Sequence, residues 1–131
     1  MTTPQRSMTT AGPEQYAILI IGDADRWWTT MSQEERSAGY ATYGRFAQSL
    51  AARGHRVLGG AELHRTSEAR TVRAGGSVSD GPFAETAEHV GGFFHVETRD
   101  YDDLLDCCGI LAELGDGIEV RRVVREDERV R

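Results

Sequence analysis

Six consecutive apolar positions, Tyr16-Ala17-Ile18-Leu19-Ile20-Ile21, stop at Gly22-Asp23. A run this short and this rich in isoleucine predicts a strand rather than a helix. Both of its faces are apolar, which places it centrally in a sheet that needs cover on both sides. After a loop holding Trp27 and Trp28, Ser32 and Glu35 have capping-box spacing, and Glu34 adds charge that suits a helix N-terminus. Tyr40, Tyr43, Ala47 and Leu50 then recur at helical spacing with Phe46 beside them, and Gly54 after Arg53 supplies a left-handed stop. The pattern predicts a helix of about 20 residues.

Residues 56–63, RVLGGAEL, predict a second strand in which Gly59-Gly60 marks a bulge or a close approach by another backbone. Residues 70–73 and 77–80 form a hairpin around Ala74-Gly75-Gly76, and 83–90 predict one helical turn. Along 92–98, Phe94, Val96 and Thr98 share one face of a third long strand, with Phe93, His95 and Glu97 on the other. Asp100 caps a second helix whose buried stripe is Leu104, Cys108, Leu111 and Ala112, with Leu105 alongside. Gly115-Asp116-Gly117 turns into a last strand over 118–124. This gives a tail over 1–14 with little to bury, one domain over 15–124, and a charged tail over 125–131.

Leaving out the hairpin insert, the order strand, helix, strand, strand, helix, strand is the α+β, ferredoxin-like βαββαβ arrangement. Right-handed crossovers put both helices on one sheet face. The other face would expose several hundred Å² of apolar surface, more than a soluble monomer usually tolerates. At roughly 25 cal/mol per Å², covering it is worth many kcal/mol. A second copy in a closed two-fold dimer is the expected cover, and a hairpin folded over the face is the alternative.

Composition changes the picture mainly by exclusion. Hydrophobic residues at 39% and charged residues at 27% suit a soluble globular domain, and a net charge of −6 disfavours a nucleic-acid binder. No apolar run approaches a membrane span, and the first residues lack the apolar core of a secretory signal. Cys107 and Cys108 are adjacent, so both are expected as free thiols in a reducing cytoplasm.

Several words in the chain resemble the YCII-related, or DGPF-domain, family. They are the 16–22 strand, Trp28, Met31, Glu34-Glu35, Thr71-Val72-Arg73, Asp80-Gly81-Pro82-Phe83-Ala84-Glu85-Thr86, Gly91-Gly92 and Ile118-Glu119-Val120-Arg121. The resemblance spans about 16–124. It implies a dimeric α+β barrel of ferredoxin-like protomers and bacterial genes that often neighbour extracytoplasmic-function sigma factors. In one branch it also implies enzymatic work by a first-helix His near an Asp in a pocket. That helix position falls near Tyr43 here, and the helix holds no His. Ala87 stands where Lys is common in the family, and His64 where Pro is usual.

Candidate chemistry is sparse. Asp80, pinned by Gly81-Pro82, reads either as a general base or orienting acceptor, or as the anchor of its own turn. His95, beside Glu97 on the aromatic strand, reads as a proton-transfer group or as a hydrogen-bonded packing element. His64 would join Asp80 only through proximity of strand ends, and His55 and His89 read as surface residues. None of the four histidines has the spacing of a metal motif, and no cofactor is implied. Arg73 could hold an anion, or pair with Asp80 or Glu85. Trp28, with Trp27, could wall a pocket mouth or cap the core, and Tyr43 could face a ligand or simply pack. Cys108 is expected to be buried and inert, whereas Cys107 would be reactive if exposed. Two functional readings follow: a small homodimer with a pocket that binds or transforms a small organic molecule, or a non-enzymatic module that binds a sigma factor.

Overall fold

The computed structural model describes residues 12–84, 88–114 and 117–129. Four strands, β1 (Glu14–Gly22), β2 (Arg56–Glu62), β5 (His89–Thr98) and β6 (Gly117–Arg122), form one antiparallel sheet in the order β2-β5-β1-β6. With helices α2 (Gln33–Ala52) and α3 (Tyr101–Ala112), this α+β topology is compatible with the ferredoxin-like arrangement. Strands β3 (Arg70–Val72) and β4 (Val78–Asp80) pair as a separate two-stranded sheet between β2 and β5 in the chain. No helix among the described residues is long and apolar enough to cross a membrane.

Alternation along the strands decides which side chains meet the helices. Tyr16, Ile18 and Ile20 of β1 and Val96 and Thr98 of β5 are buried on the face that receives Phe46 and Leu50 of α2 and Leu104, Cys107, Cys108 and Leu111 of α3. Phe46 meets Phe94 edge-on at 5.1 Å, and Tyr16 stacks on Tyr101 at 4.5 Å. The opposite face carries Ala17, Leu19 and Ile21 beside Phe93 and His95, all half-buried.

Ser32 caps α2 through the expected box: its hydroxyl accepts the Glu35 N–H at 3.0 Å, and the Glu35 carboxylate accepts the Ser32 N–H at 2.8 Å. Gly54, at φ 86°, ends the helix as anticipated. The helix is rotated relative to the stripe read from its sequence. Gly39, Phe46 and Leu50 are buried, while Tyr40 and Ala47 face outward. The reason is Trp27, whose ring edge would lie 2.5 Å from a Cβ on residue 39, so glycine there lets the helix seat against the ring. On α3 the buried set includes Cys107 as well as Cys108, and Leu105 and Ala112 are exposed.

Other expectations are corrected at the element ends. The tryptophan loop is a short helix, α1 (Ala24–Thr29), capped by Asp23. Of the turn expected over 83–90, residues 85–87 lie outside the described set, and β5 already begins at His89. Most of the N-terminal tail, residues 1–11, also lies outside it. Surface ion pairs tie the charged C-terminal segment to β1 and β6: Arg125 bonds Glu14 at 2.5 Å, and Arg122 grips both Glu128 oxygens at 2.8 Å. Arg122 holds the Glu128 carboxyl down at about 2.

Candidate functional site

An apolar cleft of about 280 Å³ opens between α2 and the β2–β5 edge, walled by Ile20, Tyr40, Tyr43, Ala61, Gly92 and Phe94. It adjoins a smaller hollow that shares Ile20, Tyr43, Glu62 and Gly91 and adds Trp27 and Trp28 from α1. Glycine makes the cleft floor possible. A Cβ on Gly60 would lie 2.5 Å from the Phe93 carbonyl oxygen, and one on Gly92 would lie 3.0 Å from that of Ala61. The register between β2 and β5 shifts between Val57 and Gly59, the bulge that the double glycine predicted.

A polar pair, Tyr40 and Glu62, interrupts the apolar wall. The Tyr40 hydroxyl donates to the Glu62 carboxylate, with both oxygens at 3.0–3.1 Å. Partial burial and then the Glu62 carboxylate push the Tyr40 phenol up, so it stays protonated and serves as a donor. The Trp27 ring meets the Tyr40 ring edge-on at 5.1 Å.

Of the residues singled out in the sequence, Trp28 and Tyr43 come together at the smaller hollow beside this cleft, and His64 lies flat on Trp28 at 4.4 Å. The Trp28 Nε1–H donates to the Leu63 carbonyl at 3.4 Å. Asp80 and Arg73 belong to the hairpin and line neither hollow. The Asp80 side chain is 92% exposed and pairs with Arg70 at 3.2 Å, while Arg73 lies over the Phe83 ring at 5.5 Å. Replacing Asp80 by asparagine is expected to leave the melting temperature unchanged, since an exposed ion pair adds little. A marked loss of stability in a thermal melt would show that Asp80 holds its turn. His95 lies on the sheet face away from the helices, where its Nε2–H donates to Gln15 Oε1 at 2.8 Å.

A second constellation was not legible in the sequence. His55, expected at the surface, is buried, because the turn at Gly54 directs it beneath the first turn of α3. Its Nε2 lies 2.7 Å from Asp103 Oδ2 and its Nδ1 lies 2.7 Å from Thr98 Oγ1. In the neutral imidazole the Nε2–H donates to the carboxylate, since a carboxylate can only accept. Arg53 binds the other Asp103 oxygen and reaches Asp106 at 3.0 Å. Arg53, and then His55, hold the Asp103 carboxyl below its ordinary value. Cys107, one helical turn beyond Asp103, places its sulfur 3.5 Å from Ser49 Oγ. The local signals were two helical pairs at i, i+4, Ser49/Arg53 and Asp103/Cys107, and only their packing reveals that they face each other.

Burial pushes the Cys108 thiol up to about 11, with Cys107 adding to the shift, so Cys108 is unreactive at neutral pH. No curated protein matches the chain. The family signature of the YCII-related domain matches residues 15–127, which takes in every strand of the main sheet, both long helices and the cleft between them. By that match, the chain belongs to the YCII-related domain family.

Proposed function

We propose that this protein is a small homodimer that binds or transforms a small organic molecule with a flat apolar part, held in the cleft between α2 and the β2–β5 edge. The observation that carries this reading is the lining of that cleft, aromatic and glycine walls around the Tyr40–Glu62 pair. A cavity with this balance sequesters an apolar body and orients it through one donor and one acceptor. Tyr40 supplies the hydroxyl donor, Glu62 the acceptor, and Tyr43 and Trp28 the flat surfaces.

The chain's two tryptophans both line the connected hollow, so intrinsic fluorescence reports occupancy. Titration with a panel of aromatic alcohols, amines and carboxylic acids should give saturable quenching with at least one class. Tyr40→Phe or Glu62→Gln should weaken that binding by about tenfold, the worth of one hydrogen bond to a charged group. Linear, non-saturating quenching across the whole panel would sink the reading.

The dimer covers the sheet face bearing Leu19, Ile21 and Phe93. The hairpin supports a partner as well: Val72 and Val78 face each other across its two strands and are 68% and 60% exposed, and Phe83 is 75% exposed. Apolar side chains this bare on a short hairpin suit burial against a second copy. Leu19→Arg should convert a sedimenting dimer to monomer, and a wild-type chain that sediments as a monomer at all concentrations removes the dimer from the proposal.

A further inference from the structure

From the cluster at the α2–α3 junction we infer that His55, Asp103 and Cys107 form a binding site for one divalent transition-metal ion, zinc by its donor set. Their ligand atoms, an imidazole nitrogen, a carboxylate oxygen and a thiol sulfur, lie within 4.8 Å of one another. Nitrogen, oxygen and sulfur together match the borderline-soft preference of Zn²⁺ and disfavour Mg²⁺ and Ca²⁺, which take oxygen. Zinc bonds of about 2.0–2.3 Å in a tetrahedron place ligand atoms about 3.3–3.8 Å apart. The 2.7 Å between His55 Nε2 and Asp103 Oδ2 therefore has to open by roughly half an ångström, and the sulfur has to close in by up to roughly one. Side-chain rotation supplies both movements.

The surroundings are arranged as an outer shell. Thr98 Oγ1 stands 2.7 Å from His55 Nδ1, ready to accept the Nδ1–H once Nε2 turns its lone pair to the metal. Arg53 occupies Asp103 Oδ1 and leaves Oδ2 facing the histidine. Ser49 presents its hydroxyl to the Cys107 sulfur, where it can donate to a thiolate. The ion takes the place of the proton between His55 and Asp103. That proton reappears on Nδ1, and the Cys107 thiol proton passes to solvent, so affinity rises with pH. Water completes the fourth position. A surface hollow of about 320 Å³ lined by Arg53, Gly54, His55 and Thr98 lies beside the cluster, on the Thr98 side of the imidazole.

The test uses the full chain and Co²⁺ as a spectroscopic probe. One equivalent should bind with a thiolate-to-cobalt charge-transfer absorption in the near ultraviolet, and one equivalent of Zn²⁺ should abolish that band and raise the melting temperature. Cys107→Ser should lose the band and weaken zinc binding by more than the roughly tenfold to hundredfold that an outer-shell partner is worth. Cys108→Ser, outside the cluster, should keep both. Co²⁺ uptake without the band would place the ion on exposed histidines and overturn the site. A band that survives Cys107→Ser, or no uptake at all, would overturn it equally and leave His55 as a hydrogen-bonded core residue.

Discussion

Replacing His55 by alanine is expected to lower the unfolding free energy by about 3 kcal/mol. The imidazole side chain is only 1% exposed, and both of its nitrogens are hydrogen-bonded. Truncation therefore opens a void at the joint of β2, β5 and α3 and takes a hydrogen-bond partner from Thr98. His64→Ala is the matched control: that ring is exposed, stacks on Trp28 and accepts the Arg65 N–H at 2.9 Å, so its loss should change stability little. Urea titration of the two variants measures the difference, and equal midpoints would mean that the His55 ring is not enclosed in solution.

The same variant should change the acid limb of stability. Asp103 has its carboxyl depressed in the folded state, by Arg53 first and His55 second. A carboxyl depressed by folding contributes stability that is fully present above its unfolded pKa of 3.8 and is lost as pH falls through the lower folded value. Without His55 the depression is smaller, so the loss below pH 3.8 should be shallower in His55→Ala than in the wild type. An unchanged slope would assign the depression to Arg53 alone.

Gly60→Ala is expected to cost about 3 kcal/mol or more. Two penalties add at this position. Gly60 adopts φ 154°, which L side chains rarely take, and a Cβ there would lie 2.5 Å from the Phe93 carbonyl oxygen and 3.1 Å from Phe94 Cα. Both atoms belong to the backbone of the strand paired with β2, so no rotamer change relieves the contact. Gly59→Ala, one residue earlier, meets nothing within 4 Å and has an ordinary φ, so it should cost less than about 1 kcal/mol. Equal stabilities for the two alanine variants would show that the bulge yields easily. Gly60 also lines the cleft, so Gly60→Ala should weaken ligand binding in the fluorescence titration.

Local chemistry was legible wherever a short word fixes a backbone shape. The Ser32–Glu35 box, the Gly54 stop and the bulge at the paired glycines of β2 each follow from bonding or steric rules that act within a few residues. The alternation of Phe94, Val96 and Thr98 against Phe93, His95 and Glu97 survives in the sheet because strand periodicity leaves no freedom once one face is buried. Helix faces were less well determined. A stripe with aromatic residues at 40, 43 and 46 is compatible with several rotations, and the docking of Trp27 on Gly39 selects one of them.

Sites follow the same division. Trp28 could be proposed from the sequence because an aromatic residue at a strand–helix junction sits near any cleft there, and Trp28 and Tyr43 line the same small hollow. Tyr40–Glu62 could not, since the pair spans 22 residues and depends on the edge of β2 passing the middle of α2. His55 and Asp103 are 48 residues apart and carry no motif spacing. Sequence alone determined the strands, the long helices, their caps and the order in which they meet, because these depend on period and on neighbours a few residues away. Which side chains share a cavity was decided by tertiary packing, because helix rotation and strand register bring together groups whose separation along the chain holds no record of their meeting.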